Sequence, residues 1–224
     1  MRAGMVTDLY GEGGSGKTQL CFSLCGRNAK LFEDIKGVAV VFVDTSGTFR
    51  PERITEIADG YRQDILEKIL VVRPLSSADQ TRSIEKIVEI NPRLLIVDGV
   101  ASLFSNDYSG VSRHLALMNH LHKLSLAAIN IGCPVVITNM VRSLADNSGG
   151  PTGSQRSNDK LVRDDIGREL MGASVSIYVH MKLMLRIVRS DKQLFMAVLK
   201  QPRREKHVYY TITKHGVSDL PVPI

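Results

Sequence analysis

The sequence predicts an α/β fold, a mostly parallel central sheet with antiparallel C-terminal strands, in one domain over residues 1–224. Three observations predict it. Short aliphatic runs alternate with helix-period segments through most of the chain. Aromatic residues make up only 5% and Trp is absent, so the core must rest on Val, Ile, Leu and Met, the composition of strands buried on both faces. From Ala173 onward the pattern changes to polar/apolar alternation, which marks strands with one wetter face.

Met5 to Tyr10 reads as a short strand that runs into a glycine-rich turn. Lys17 to Ala29 follows as a helix, with Leu20, Leu24, Cys21 and Cys25 on its inner side. Val38 to Val43 is a β-branched run and a central strand. Pro51 then opens a helix to about Tyr61, because its fixed φ suits the first helical position. Ile69 to Val72 is strand-like, and Ser77 to Ile90 is helical, capped by Ser76 or Ser77. Leu94 to Val97 is a buried strand ending at Asp98. Ser112 to Asn130 forms a helix with apolar positions at Leu115, Met118, Leu121, Leu124 and Ala128, and Pro134 to Thr138 a further strand. Val141 to Glu169 has no period and contains Asn147-Ser148-Gly149-Gly150-Pro151-Thr152-Gly153, so it is a functional or disordered loop. Ser174 to His180, Met184 to Arg189, Leu194 to Leu199 and Val208 to Thr213 alternate as strands, with Asp191 and Lys192 turning the middle pair.

Composition narrows the class. Cys21, Cys25 and Cys133 make no even framework, which points to a reducing compartment and to buried small hydrophobes rather than metal ligands. No apolar run approaches the ~20 residues that cross a bilayer, so a cytoplasmic protein without a membrane partner is expected. Lys182, Arg186, Arg189, Lys192, Lys200, Arg203, Arg204 and Lys206 face only Asp191 and Glu205 in that stretch, which accounts for the whole net charge of +6. Such a stretch suits a polyanion, or equally the solvated faces of a hairpin.

One motif carries chemistry outright. Gly11-Glu12-Gly13-Gly14-Ser15-Gly16-Lys17-Thr18 matches G-x-x-x-x-G-K-[ST] in full, with a strand before it and a helix after it. Glycines let backbone N–H groups turn inward around phosphate oxygens, and the helix start adds favourable dipole charge. Lys17 supplies a point charge for the β- and γ-phosphates, and Thr18 a hydroxyl for magnesium. Asp98, at the tip of a buried strand, stands where the magnesium shell needs a carboxylate. The ligand expected is ATP with Mg2+.

Neighbouring residues resemble one family. The phosphate loop continuing into Gln19-Leu20-Cys21 is similar to that of the RecA/RadA recombinases, and Asp44-Thr45-Ser46-Gly47-Thr48-Phe49-Arg50-Pro51-Glu52-Arg53-Ile54 resembles their segment after the second strand. Asp98 through Asp107-Tyr108-Ser109-Gly110, then Val135-Val136-Ile137-Thr138-Asn139 and Ile212-Thr213-Lys214-His215-Gly216-Val217, continue the match in order. The type resembled is a core-only RadA paralogue of the archaeal RadB kind. The resemblance implies a RecA-like P-loop NTPase core and a role in homologous recombination and DNA repair. It also implies nucleoid association, with single-stranded DNA and a main recombinase of the RadA type as partners. It implies that Gly11 to Gln19 and Arg53 bind the nucleotide, with Arg53 against the adenine ring, and that Thr18 and Asp98 hold the metal. Phe104 to Arg113 and Val141 to Glu169 correspond to the family's two DNA-facing loops, which makes Arg113, Arg142, Arg156, Lys160, Arg163 and Arg168 candidate DNA contacts.

The sequence departs from the family's pattern in ways that alter its expected chemistry. Ser46 stands where the family has the Glu that activates water, a general base whose loss costs ~10²–10⁴ in rate. Met140 replaces the Gln that senses the γ-phosphate, and a thioether donates no hydrogen bond. The family's N-terminal DNA-binding domain and its Phe-x-x-Ala linker are expected to be absent, the first DNA loop to be short, and Ser105 replaces an Arg. In Val141 to Glu169 five basic residues are offset by five acidic ones, with no aromatic side chain to stack on bases. The sequence therefore leads to an ATP-binding accessory protein with slow or no hydrolysis. The rival is a DNA-dependent ATPase with strand-exchange activity whose water is positioned by Asp44 or Glu52. A GTPase is disfavoured, since the Asn/Thr-Lys-x-Asp base reader is missing after the Val135 strand.

Overall fold

The computed structural model describes residues 2–58, 64–142, 168–189, 194–201 and 204–220. Its first strand, β1 (Val6–Gly11), is buried along its whole length and leads through the glycine turn into helix α1 (Lys17–Leu31). Strand β2 (Val40–Asp44), helix α2 (Pro51–Ile57), the single turn α3 (Asp64–Glu67) and strand β3 (Ile69–Val72) follow. Helix α4 (Ser77–Ile90) is capped by Ser76, whose hydroxyl accepts from the Asp79 amide at 3.1 Å. Then come β4 (Leu94–Asp98), α5 (Ser102–Asp107), α6 (Gly110–Ile131) and β5 (Val135–Arg142). The C-terminal third holds β6 (Arg168–Glu169), α7 (Gly172–Ser176), β7 (Met181–Arg189), β8 (Leu194–Gln201), β9 (Arg204–Thr213) and β10 (Gly216–Leu220).

The strands join in the order β10-β9-β8-β7-β1-β5-β4-β2-β3, with β6 pairing β5. From β7 to β3 every neighbour is parallel, and from β7 to β10 every neighbour is antiparallel. This is the predicted α/β architecture. Phe22, Phe42 and Phe49, with ring centroids 5.0–5.7 Å apart, centre the core between the sheet, α1 and α2. The other face buries Leu95, Val97, Phe104, Leu117, Leu121 and Val135 among others, under α4 and α6. Cys21 and Cys25 are fully buried in the first of these cores, as small hydrophobes. Among the described residues no helix is long and apolar enough to cross a membrane.

Several expectations are corrected. Ser174 to His180 is not a strand: Gly172–Ser176 is helix α7, and strand pairing begins at Met181. Alternation over so few residues also fits one helical turn, and tertiary contact decides. Val175 is buried in the core, and the His114 ring bonds the Ser174 hydroxyl at 2.8 Å. Phe104 to Arg113 is not a loop, because α5 runs to Asp107 and α6 begins at Gly110. Asp107 ties this corner down by accepting from the Ser77 amide and hydroxyl, both at 2.7 Å. The Val141 to Glu169 segment is ladder-paired at both ends, Val141 with Glu169 and Arg142 with Arg168. Residues 143–167 and the Asp191–Lys192 turn lie outside the described residues. The helix from Pro51 ends at Ile57 rather than near Tyr61, which is also outside them.

Candidate phosphate-binding site

Parallel sheets present their ligands at the C-terminal ends of their strands. Here β1 ends at Gly11, β2 at Asp44 and β4 at Asp98, and Thr138 to Met140 lie beside them on β5. The predicted phosphate residues, magnesium ligands and lost-catalyst positions therefore gather along one edge of the sheet. The glycine turn is shaped by close approach: a Cβ on Gly11 would stand 2.2 Å from the Leu185 carbonyl oxygen. Gly16, at φ 89°, is the N-cap of α1 with no side-chain cap, so the amides of the first turn are left to an outside acceptor.

Lys17 lies inside this turn, its ammonium donating to Gly11 O (2.9 Å), Glu12 O (2.7 Å) and the Ser15 hydroxyl (3.4 Å). Burial lowers its pKa, opposed by the Asp98 and Glu12 carboxylates. Glu12 is itself tethered, since its Oε1 accepts from the Ile187 amide at 3.4 Å.

Thr18 donates to Asp98 Oδ2 at 2.9 Å, and Thr138 donates to Asp98 Oδ1 at 2.6 Å while accepting from the Gly99 amide at 2.7 Å. Burial raises the Asp98 pKa, with the Thr138 and Thr18 hydrogen bonds opposing it. A hydroxyl and a carboxylate in contact at a strand tip are hard oxygen donors, the set magnesium takes alongside phosphate oxygens and water. These residues fit the ion.

Ser46 and Met140 stand at the two positions where the resemblance expects catalytic groups. The Ser46 hydroxyl pairs with that of Thr48 at 2.9 Å, and Met140 is half-exposed at the register position opposite Gly11. Asp44, the rival base, is fully committed. Its Oδ1 accepts from the amides of Ser46 (3.2 Å) and Thr48 (3.1 Å), and its Oδ2 from the amide of Phe49 (3.0 Å). Burial alone would raise its pKa, but the Phe49, Thr48, Ser46 and Gly47 amides together hold it below the ordinary value. Such a carboxylate is a poor proton acceptor.

Arg53 is tied into the turn between β9 and β10. It donates to Gln19 Oε1 (2.9 Å), Glu56 Oε2 (2.8 Å), Lys214 O (2.8 Å) and Thr213 O. All four bonds lie at the guanidinium edge, and the side chain is mostly buried, 15% exposed.

The DNA candidates are not brought together by what is described. Arg113 sits in the first turns of α6 with its Nε buried and without a hydrogen-bond partner. Arg142 and Arg168 are paired through their backbones, and Arg156, Lys160 and Arg163 lie outside the described residues. Lys182 is removed from the basic stretch as a free charge. It pairs with Glu169, lies 3.4 Å from Asp8 Oδ2 and sits 4.9 Å over the Tyr10 ring. Asp8 is fully buried, close enough to Lys182 to pair electrostatically but not aligned for a hydrogen bond. Burial and the Glu169 carboxylate push its pKa well up, and Lys182 opposes them.

Sequence reasoning missed Thr138, although a hydroxyl ending the strand beside Asp98 was a usable signal. It also missed the Asp8–Lys182–Glu169 cluster and Tyr210, whose hydroxyl donates to the Ser15 carbonyl from 195 residues away. No local signal exists for either.

A sequence model described as Rad51 matches residues 1–220. The chain is 30% identical, over 98% of its length, to DNA repair protein RAD51 homolog 1 of Arabidopsis thaliana, and spans 64% of that protein. It is 32% identical, over 96% of its length, to DNA repair and recombination protein RadA of Aeropyrum pernix, of which it spans 66%. It is 33% identical to meiotic recombination protein DLH1 of Candida albicans, again over 96% of its length. The chain thus spans somewhat less than two thirds of the first of these relatives. With the match running through β1, the phosphate loop, the Asp98 strand and the antiparallel tail, the chain belongs to the Rad51 family of the RecA/RadA class.

Proposed function

We propose that this chain binds ATP with Mg2+, hydrolyses it slowly or not at all, and acts in homologous recombination and DNA repair as an accessory paralogue of the RadB kind. One observation carries the reading: an assembled cradle of Lys17, Thr18, Asp98 and an uncapped helix start stands beside Ser46 and Met140. Binding needs the first group, whereas turnover needs more.

In this reading Lys17 exchanges two neutral carbonyls and a hydroxyl for phosphate oxygens, which adds the attraction of opposite charges to bonds its ammonium already makes. Thr18 and Asp98 hold the metal, which offsets charge on the β- and γ-phosphates when bound. Ser46 cannot accept a proton from water near neutral pH, and Asp44 is held by backbone amides. With the Met140 thioether supplying no donor, the barrier to hydrolysis stays high. ATP then acts as an ordering ligand through its differential affinity for conformations. Single-stranded DNA and a RadA-type recombinase are the partners assigned, supported by the names of the relatives and by the basic residues between Arg186 and Lys206.

Calorimetric ATP titration in millimolar magnesium, paired with phosphate release with and without single-stranded DNA, tests this. Saturable binding lost in Lys17→Ala, with turnover far below once per second, is expected. Fast turnover abolished by Lys17→Ala would establish the DNA-dependent ATPase instead, and absence of saturation would end the nucleotide reading.

A further inference from the structure

We infer that Tyr210 is a positioning residue for the nucleotide: its phenol sets the Ser15–Gly16 peptide so that the Gly16 amide faces the phosphates. This deepens the nucleotide reading above and rests on it.

Tyr210 lies on β9, is buried, and donates to the Ser15 carbonyl oxygen at 2.8 Å. In a planar trans peptide the carbonyl and the following N–H point in opposite directions. A Ser15 carbonyl drawn down toward β9 therefore sends the Gly16 N–H up, toward the open side where α1 begins. The contact beneath is tight, since a Cβ on Gly16 would stand 2.8 Å from Ile212 Cδ1 and 3.6 Å from the Tyr210 hydroxyl. Gly16 holds φ 89°, a conformation an L side chain rarely adopts, so this peptide is free to turn unless something fixes it.

The ring that carries the hydroxyl is fixed by its own packing, stacked on Phe195 at 5.4 Å and 19°. Burial pushes the phenol pKa up, so the hydroxyl keeps the proton it donates. Without it the Ser15 carbonyl is left buried and unpaired, and the peptide relieves that by turning its oxygen toward the side where phosphates bind. An oxygen there repels what the amide attracts.

Tyr210→Phe keeps the ring and its stack and deletes one hydroxyl. ADP and ATP affinities, measured by calorimetry, are expected to fall on the order of tenfold, while the circular dichroism spectrum is unchanged. In ¹⁵N-labelled wild-type protein the Gly16 amide resonance is expected to shift on adding ADP and not on adding adenosine. A folded variant that binds ADP within twofold of wild type overturns the inference. So does a wild-type Gly16 amide indifferent to ADP at saturation, a result independent of whether the variant folds. A wild-type protein that does not saturate with ADP or ATP overturns the nucleotide reading and this inference together, which separates the two failures.

Discussion

Replacing Asp44 by Ala removes the group that folds the turn after β2. Its carboxylate accepts three backbone N–H bonds at 3.0–3.2 Å. A hydrogen bond to a charged group contributes about 1.5–3 kcal/mol. The Ser46 and Thr48 amides sit in a partly open turn where water can replace the carboxylate, so their loss counts at or below the low end. The Phe49 amide is buried, and without Asp44 it has no partner, a cost of about 1–3 kcal/mol. Together these give a destabilisation of about 3–4 kcal/mol, or roughly 10 °C in Tm for a chain of this size. Asp44→Asn, which keeps one acceptor oxygen, should cost about half as much.

The pH dependence is fixed in sign. Because the folded-state pKa of Asp44 is lowered, its contribution is present above the unfolded value of ~3.9 and lost as pH falls through the folded value. Urea denaturation of wild type and variant from pH 7 to pH 3, without nucleotide, should show a constant gap that closes at the acid end. A gap under about 0.5 kcal/mol at pH 7, or one that widens on acidification, would refute the reasoning.

Three further outcomes are expected. His120 is buried between Gln80 (3.1 Å) and Thr81 (3.2 Å), and burial, aided by the Lys123 charge, lowers its pKa from 6.5 to about 3. The unfolded chain takes up a proton there that the folded chain refuses, so stability falls as pH drops below 6.5. His120→Gln should flatten that slope by about 1.4 kcal/mol per pH unit between roughly pH 6 and pH 4, as read by urea midpoints. Phe42→Ala, which empties the centre of the aromatic triad, should cost about 3–5 kcal/mol in the same denaturation assay. Ser46→Glu returns a carboxylate to the edge of the cradle and should raise phosphate release by ~10² or more, with a second substitution, Lys17→Ala, cancelling the gain.

The glycine turn and the place of Asp98 were readable because they are local: consecutive residues make the turn, and a buried strand ends on its acid. The parallel half of the sheet was readable for a similar reason, since runs such as Val40–Asp44 and Leu94–Asp98 are buried on both faces. Gly172–Ser176 was misread because five residues are too few to separate a period of 2 from one of 3.6. Helix α5 was hidden by Ser-Leu-Phe-Ser-Asn-Asp, which offers only Leu103 and Phe104 as buried positions. The Thr138 bond to Asp98, the Tyr210 bond to Ser15 and the Lys182 ion pairs depend on which strands become neighbours, and sheet order is written nowhere in a linear pattern.

That sheet order sets a timetable. Strand β1 is made before the strands it pairs with, β5 and β7, which begin at residues 135 and 181. Until both arrive, both edges of that strand stay unpaired, and the Asp8 charge stays in water rather than beside Lys182. The underside of the glycine turn comes later still, from Tyr210 and Ile212. Nascent chains stopped short of β9 would carry every residue of the nucleotide motif and still lack the floor it rests on.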